Sequence, residues 1–446
     1  MQWPSWLLPE ANGFGSNSAA DAPLQWSRPE GSRLDVLTTS SNNDQVGVCN
    51  LVSLTPFSFD PEIDDYPELG RLLFPGGYAS AFATVLAMKH LNHGDGSIVK
   101  EIEGLNETCK IRFVPEFIDT MGSTSLATER LLNRLDEAVS ETTGRFSPCA
   151  FIGGYHSTVS QHTAVITSLN NYTQISGISS SAELNDNEMF AKFARTIPSI
   201  GAEAHAFIKY LKQSSTNEPI KYLAILNVDN DWSNNYATRV RQAASALDPN
   251  LIVEQVLVDP SSKKTIFKAI QKLEELHFPV ILGAFFNSVS DTLDEVMTQA
   301  YHQGLAGHGN TTWFFNGDVG LALQRYQFRK GSALHLALRG SGFLNVGGNY
   351  PGNPKMTEFK ESLLEMKNDP DAIAFFQQVL PQYSLNVGED INLDGLKGRA
   401  SLFQHDSMFL GTSELYSHES FLDPLLDDRI QFIYEAALLL VRAQSI

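Results

Sequence analysis

Short apolar runs, each followed by an amphipathic stretch, set the rhythm of this chain. Apolar runs at residues 45–52, 110–118, 149–152, 172–176, 221–226, 252–258 and 280–286, and the run 312–318 with its turn, have the length and composition of buried strands. Helical i, i+3, i+4 spacing fills the intervals. It appears over 78–92 (Phe82, Val85, Leu86), over 124–139 (Leu131, Leu132, Leu135, Val139), and over 203–211, 239–247, 263–277 and 291–303. After the run 149–152, Val159, His162, Val165, Ile166 and Leu169 keep the same period, and a further helix is expected to carry Phe190 and Phe193. Short helices are expected at 359–366 and 371–379, and a last one running to Val441. Strand and helix alternating in this way predict an α/β fold with a parallel, doubly wound sheet.

Two of these strands end in small hydroxyl residues. The run 149–152 leads into Gly153, Gly154, Tyr155, His156, Ser157 and Thr158, and the run 172–176 leads to Ser179, Ser180 and Ser181. Open α/β sheets hold ligands at the carboxyl ends of their strands. The first-turn N–H groups of a helix starting near Ser157, with the Ser157 and Thr158 hydroxyls, can hold a carboxylate or phosphate. Each residue also has a plainer use. Ser157 can simply cap its helix, the serine run can be an ordinary turn, and His156 can be a hydrogen-bonded structural residue rather than a cation beside an anion.

Composition narrows the field. At 446 residues and 42% hydrophobic, the chain can build two lobes, each with its own core. A formal net charge of −19 argues against general nucleic-acid binding. No run of about 18 apolar residues is present, so no membrane-spanning helix is expected. Residues 1–8 lack a basic segment and contain Pro4, unlike a signal peptide, and residues 1–43 read as a flexible leader. Sequons at Asn106, Asn171 and Asn310 support a secreted chain weakly. Cys49, Cys109 and Cys149 read as buried thiols in preference to a disulfide, because spacing alone gives no connectivity. No nucleophile elbow, phosphate-binding loop or dinucleotide fingerprint occurs, and His90 and His93 lack the glutamate of a zincin. No cofactor, no metal and no enzymatic activity are expected.

The motifs Gly-Gly-x-x-Ser157-x-Val-Ser, Ser-Ser-Ser-x-x-Leu184-x-Asp186 and Phe193-x-Arg195-Thr-x-Pro198 occur in this order. Together they resemble the extracellular ligand-binding domain of class C G-protein-coupled receptors, most closely the GABA-B receptors. The resemblance implies a two-lobed type I periplasmic-binding (Venus flytrap) fold. Lobe 1 would be 44–200 plus 321–446, with residues 338–346 as its return strand, and lobe 2 would be 201–320.

The same resemblance implies a ligand set. Ser157 aligns with the family's carboxylate-binding serine, and Ser180 (Ser179 or Ser181 in a shifted register) with its second hydroxyl contact. Trp232 and Phe286 fall where aromatics cover the ligand, although the GABA-B pattern has tyrosine at the latter. Asp318 aligns with an acid that receives the ligand's amino group, and Asp423, with one residue gapped, lies near another. The set would bind a small zwitterion of the GABA or glutamate type. It further implies a dimer through lobe 1, a place at the extracellular face of the plasma membrane as part of a longer membrane receptor, and coupling to a G protein only through a seven-helix domain beyond Ile446. Two other readings stand beside it: a free-standing solute-binding protein, and a receptor subunit that dimerises without binding ligand. A hydrolase or transferase would need turnover that none of these residues explains.

Overall fold

A computed structural model describes residues 25–27, 35–38, 45–57, 75–140, 145–214, 219–229, 231–259, 262–285, 289–307, 309, 311–316, 331–344, 354–366, 369, 372 and 430–444. These residues form two compact units. One holds those up to Ile197 together with those after 346, and the other holds those from Pro198 to 344.

The first unit is built on a seven-stranded sheet: β1 (Gln25–Ser27), β2 (Asp35–Thr38), β3 (Gln45–Thr55), β4 (Ile111–Asp119), β5 (Pro148–Gly153), β6 (Gln174–Ser176) and β7 (Phe193–Arg195). The order is β1-β2-β3-β5-β6-β7, with β4 also paired to β3. From β3 onward every pairing is parallel, and β1 and β2 join antiparallel. Helix α1 (Pro75–His93) covers one face of the sheet. It is apolar on nearly all sides, with Ala79, Ala81, Ala83, Val85, Leu86, Ala87, Met88 and Leu91 all buried. Such a helix belongs inside a layer rather than at a surface, and α10 (Pro354–Met366) and α11 (Ile430–Gln444) share its core. Helix α2 (Leu105–Thr108) is a single turn before β4. On the opposite face, α3 (Thr124–Ser140) sets Leu131 and Leu135 against Val52, Leu54 and Phe151. Helix α4 (Ser157–Leu169) follows β5.

Four expectations are corrected here. First, residues 25–27 and 35–38 are not part of a free leader. They form the β1–β2 hairpin on β3, and buried Asp35 accepts a hydrogen bond from Ser147 N at 2.6 Å, which ties β2 to the entry of β5. Second, Phe193 lies in a strand. Asp186 Oδ1 accepts from the N–H groups of Glu188 and Met189, and this side-chain-bonded turn redirects the chain before β7. Third, Cys49 and Cys149 are not thiols but a disulfide, with Cα atoms 5.3 Å apart. A register shift between Asn50 and Leu51 sets the two side by side on adjacent parallel strands 100 residues apart in sequence. The remaining cysteine, Cys109, is free and half-buried.

The fourth correction concerns the second unit. Its sheet, all parallel, has the order β12-β11-β10-β8-β9, from β8 (Tyr222–Val228), β9 (Ile252–Val258), β10 (Val280–Ala284), β11 (Thr312–Asn316) and β12 (Gly342–Leu344). The expected return strand is therefore the fifth strand of this second sheet, because Gly342–Leu344 pairs with Phe314–Asn316. Helix α9 (Ala333–Ala337) also stays here, burying Leu334 and Ala337 with α7 (Lys263–Leu276) and α8 (Val289–His302). Helices α5 (Ile200–Ser214) and α6 (Asp231–Leu247) complete the unit.

Helix α11 is keyed into the first unit in two places. Gly177 permits one: a Cβ there would lie 2.5 Å from the backbone nitrogen of Ile433. At the other, Tyr434 Oη lies 2.7 Å from His90 Nδ1, while His90 Nε2 lies 3.8 Å from Asp95 Oδ2. Burial lowers the His90 pKa below 6.5 and outweighs the carboxylate of Asp95, which pulls the other way; Lys89 and His93 add to the lowering. The folded chain thus holds a neutral imidazole, whereas the unfolded chain takes up a proton there near pH 6.5. This contribution to stability is whole above that pH and is lost as the pH falls below it. Glu435, whose carboxyl is raised by burial, acts in the opposite sense. His90→Gln keeps a hydrogen-bonding group for Tyr434 but cannot titrate. The fall in melting temperature from about pH 7.5 to about pH 5.5 should be smaller in this variant than in wild type. Equal slopes would remove His90 from the acid sensitivity.

Candidate functional site

Strands β5 and β6 are adjacent and parallel, so their carboxyl ends open on the same edge of the first sheet. At the end of β5 the chain turns sharply through Gly153, with φ at +107°. A side chain there would meet the Leu54 carbonyl oxygen at 2.5 Å, so glycine alone lets the turn pass so close to β3. The carbonyl of Gly154 is then the acceptor around which a hydroxyl cluster is assembled. Ser176 Oγ donates to it at 2.9 Å, and Ser160 and Ser179 Oγ lie 3.2 and 2.9 Å from it and 2.7 Å from each other, so one of this pair donates to the carbonyl and the other to its neighbour.

Helix α4 buries a face that the apolar pattern does not mark. Val159 is buried as expected, but the stripe runs on through Ser160, Thr163, Ala164 and Thr167, leaving His162 and Leu169 exposed. The reason is Gln174 on β6, whose side chain is fully buried. It donates to Gly153 O at 2.7 Å and Thr163 Oγ1 at 3.0 Å, and it accepts from Thr167 Oγ1 at 3.0 Å. A buried amide requires such partners, and hydroxyl residues on the facing helix supply them.

This scaffold brings the helix start to the serine turn. His156, in extended conformation, is the N-cap, and Ser160 N to His156 O at 3.0 Å is the first helical bond. Ser157 is therefore the first residue of the helix and not its cap. Its Oγ accepts a hydrogen bond from Ser181 N at 3.1 Å, which leaves its O–H proton as a donor. Ser181 in turn caps the short 3-10 helix Ala182–Asn185 by accepting from Glu183 N. Gln161 Nε2 bridges to Glu183 Oε2 at 2.6 Å.

Of the three serines in that turn, Ser179 is spent. It is fully buried, its hydroxyl is committed to Gly154 and Ser160, and it is not available to a ligand. Ser181 is nearly buried and also engaged. Ser180 is half-exposed and makes no hydrogen bond through its side chain among the described residues. Thr158 is exposed on the first turn of α4. The result is a concentration of donors on one edge: the Ser157, Thr158 and Ser180 hydroxyls and the first-turn N–H groups of α4. Such a set is matched to an anion.

Of the two uses open to His156, a cation beside an anion is not the one found. Burial lowers its pKa below 6.5, so the imidazole is neutral at physiological pH, and its ring lies edge-on to Tyr155 at 5.3 Å. Positive charge comes instead from Arg195 at the end of β7, which in sequence stands out only within the motif Phe193-x-Arg195-Thr-x-Pro198. Its guanidinium donates to Ser179 O at 3.1 Å and to Ser181 O at 2.6 Å, and also to the Asn185 side chain. A positive charge three residues before a proline carries no sign of this role in sequence. The partners are 14 and 16 residues away, and only the pairing of β6 with β7 brings them together.

In the second unit, half-buried Trp232 stacks on Tyr236 with ring centroids 5.2 Å apart and planes 11° from parallel. Tyr236 donates to Glu203 Oε1 at 3.0 Å, which fixes the platform under the indole. Phe286, Asp318 and Asp423 lie outside the described residues, as does Asn310. Asn106 is half-buried beside Gly94, and exposed Asn171 accepts a hydrogen bond from Lys192. Among the described residues no cluster of His, Cys, Asp or Glu is arranged to hold a metal, and no helix is long and apolar enough to cross a membrane.

A family model described as the receptor family ligand binding region matches residues 99–386, a span that runs from before β4 to beyond α10. No curated protein matches the chain. The two α/β units with mostly parallel sheets are consistent with the two-lobed type I periplasmic-binding fold, and the matched family is one of ligand-binding, non-enzymatic domains. With more than half of its length matched, the chain belongs to the family of receptor ligand-binding regions.

Proposed function

We propose that the chain is the extracellular ligand-binding domain of a GABA-B-like class C receptor, and that it holds the carboxylate of a small amino-acid zwitterion at the start of α4. The observation that carries this reading is the hydrogen bond from Ser181 N to Ser157 Oγ. It draws two serine-bearing strand ends into one donor-rich site and leaves Ser157 O–H, Ser180 Oγ and Thr158 Oγ1 to meet an anion. The family match supports a receptor, and the Cys49–Cys149 disulfide supports an oxidising, extracytoplasmic setting. In this reading the second unit closes over the bound ligand with Trp232, Phe286 and Asp318. Ligand can drive closure only by its difference in affinity for the two states. Dimerisation through the first unit, and coupling to a G protein through a membrane domain outside this chain, follow from the same reading.

Calorimetry with GABA, glutamate and other amino acids tests the site. A hydrogen bond to a charged group is worth about 1.5–3 kcal/mol, so Ser157→Ala should weaken binding about 10- to 100-fold. Equal binding by wild type and variant would remove the serine from the site. A wild-type protein that binds none of these ligands would overturn the zwitterion reading.

A further inference from the structure

We infer that Arg195 is a positioning residue for this site, acting through Ser180; the inference rests on the amino-acid reading above. The carbonyls of Ser179 and Ser181 flank Ser180, and the same guanidinium nitrogen of Arg195 binds both, at 3.1 and 2.6 Å. A second nitrogen of the fork holds Asn185, in the 3-10 helix that follows.

The opposite sides of the same two residues are also fastened. Ser179 N donates to Ser176 Oγ at 3.0 Å and its hydroxyl meets Gly154 O, while Ser181 N donates to Ser157 Oγ. Ser180 is thus the one residue of the turn whose side chain is left over, held by anchored neighbours on either side. A planar fork fixes its acceptors in direction as well as distance, which an ammonium on a flexible stem does not. Arg195 gathers two carbonyls that would otherwise point freely. It also brings a fixed positive charge to the back of the turn, where burial only lowers the guanidinium pKa without discharging it. Arg195 therefore sets where the Ser180 hydroxyl stands relative to the α4 N-terminus without itself touching ligand.

Two measurements test this. Amide hydrogen exchange of the intact protein reads the turn with no ligand present. Arg195→Gln should speed exchange at Ser181 N–H at least about tenfold while exchange in β3 and β4 is unchanged; unchanged exchange at Ser181 overturns the positioning role. A double-mutant cycle of Arg195→Gln and Ser180→Ala, read by calorimetry with GABA and with its carboxamide analogue, then tests the route. Each single change should weaken GABA about tenfold and narrow the preference for GABA over the amide, and the double variant should lose little more than either. Arg195→Lys should recover part of the loss. Fully additive losses would overturn action through Ser180 while leaving the amino-acid site standing. If wild type binds no amino acid, the reading of the site fails and this inference fails with it. Should Arg195→Gln not fold, Arg195→Lys carries the same cycle, with an intermediate loss expected and none overturning the inference.

Discussion

Replacing Cys49 and Cys149 together by alanine should destabilise the first unit by about 2–5 kcal/mol, the range found when a native disulfide closing a long loop is removed. The bridge closes a span of 100 residues. That span holds α1, β4 and α3, so one whole strand of the first unit's sheet and a helix on each of its faces lie inside the loop. Opening it releases the unfolded chain from a constraint that the native strands satisfy in any case, since β3 and β5 pair along their length. The folded structure should therefore change little while its stability falls. Denaturant unfolding with and without reductant, beside a Cys109→Ala control that keeps the wild-type midpoint, gives the comparison. Coincident transitions for wild type and the double variant would show that the bridge contributes nothing.

Arg134→Met should cost about 3 kcal/mol, for a different reason. Arg134 is almost wholly buried and meets Glu116 through two bonds, Nε to Oε1 at 2.6 Å and Nη2 to Oε2 at 2.9 Å. Glu116 also accepts from Asn50 Nδ2, and Arg134 and Asn50 both donate to the carbonyl of Phe146, the residue before Ser147 and β5. Removing only the cation leaves a largely buried carboxylate unpaired, which is far costlier than the net worth of the pair. Arg145, half-exposed, stands 3.8 Å from Glu116 and recovers only part of the loss. Replacing both partners, Arg134→Met with Glu116→Leu, should therefore be less damaging than Arg134→Met alone. A double variant less stable than the single one would show that the pair is worth more than its desolvation.

The parts of this fold that were legible in sequence are those where burial uses apolar side chains. Strands β8, β10 and β11 read as strands because Leu223, Ile225, Ile281, Leu282, Trp313 and Phe315 leave no polar alternative. Legibility failed wherever burial is polar or depends on distant partners. The buried stripe of α4 is made of Ser160, Thr163 and Thr167, which a hydrophobic period passes over, and its logic lies in Gln174 on another strand. The disulfide depended on which strand lies beside β3, and nothing in the spacing of Cys49 and Cys149 states it. In the candidate site, Ser157 was legible through its place after a glycine turn. Ser179, Ser180 and Ser181 are chemically identical in sequence, and only the hydrogen bonds to Gly154, Ser160 and Glu183 tell the spent hydroxyls from the remaining one.

The place of α11 bears on how this protein is made. Ile433, Tyr434, Ala436 and Ala437 complete a core whose other walls come from α1, β3 and β5, segments that leave the ribosome hundreds of residues earlier. The described part of the second unit is one continuous stretch lying between them in the order of synthesis. That middle stretch can mature while the core begun by α1 and the earlier strands still waits for a helix not yet translated. Contacts so far apart in sequence form slowly. During that delay the part of the core that Ile433, Tyr434, Ala436 and Ala437 close stays open to its surroundings, the kind of exposed apolar surface through which nascent chains aggregate.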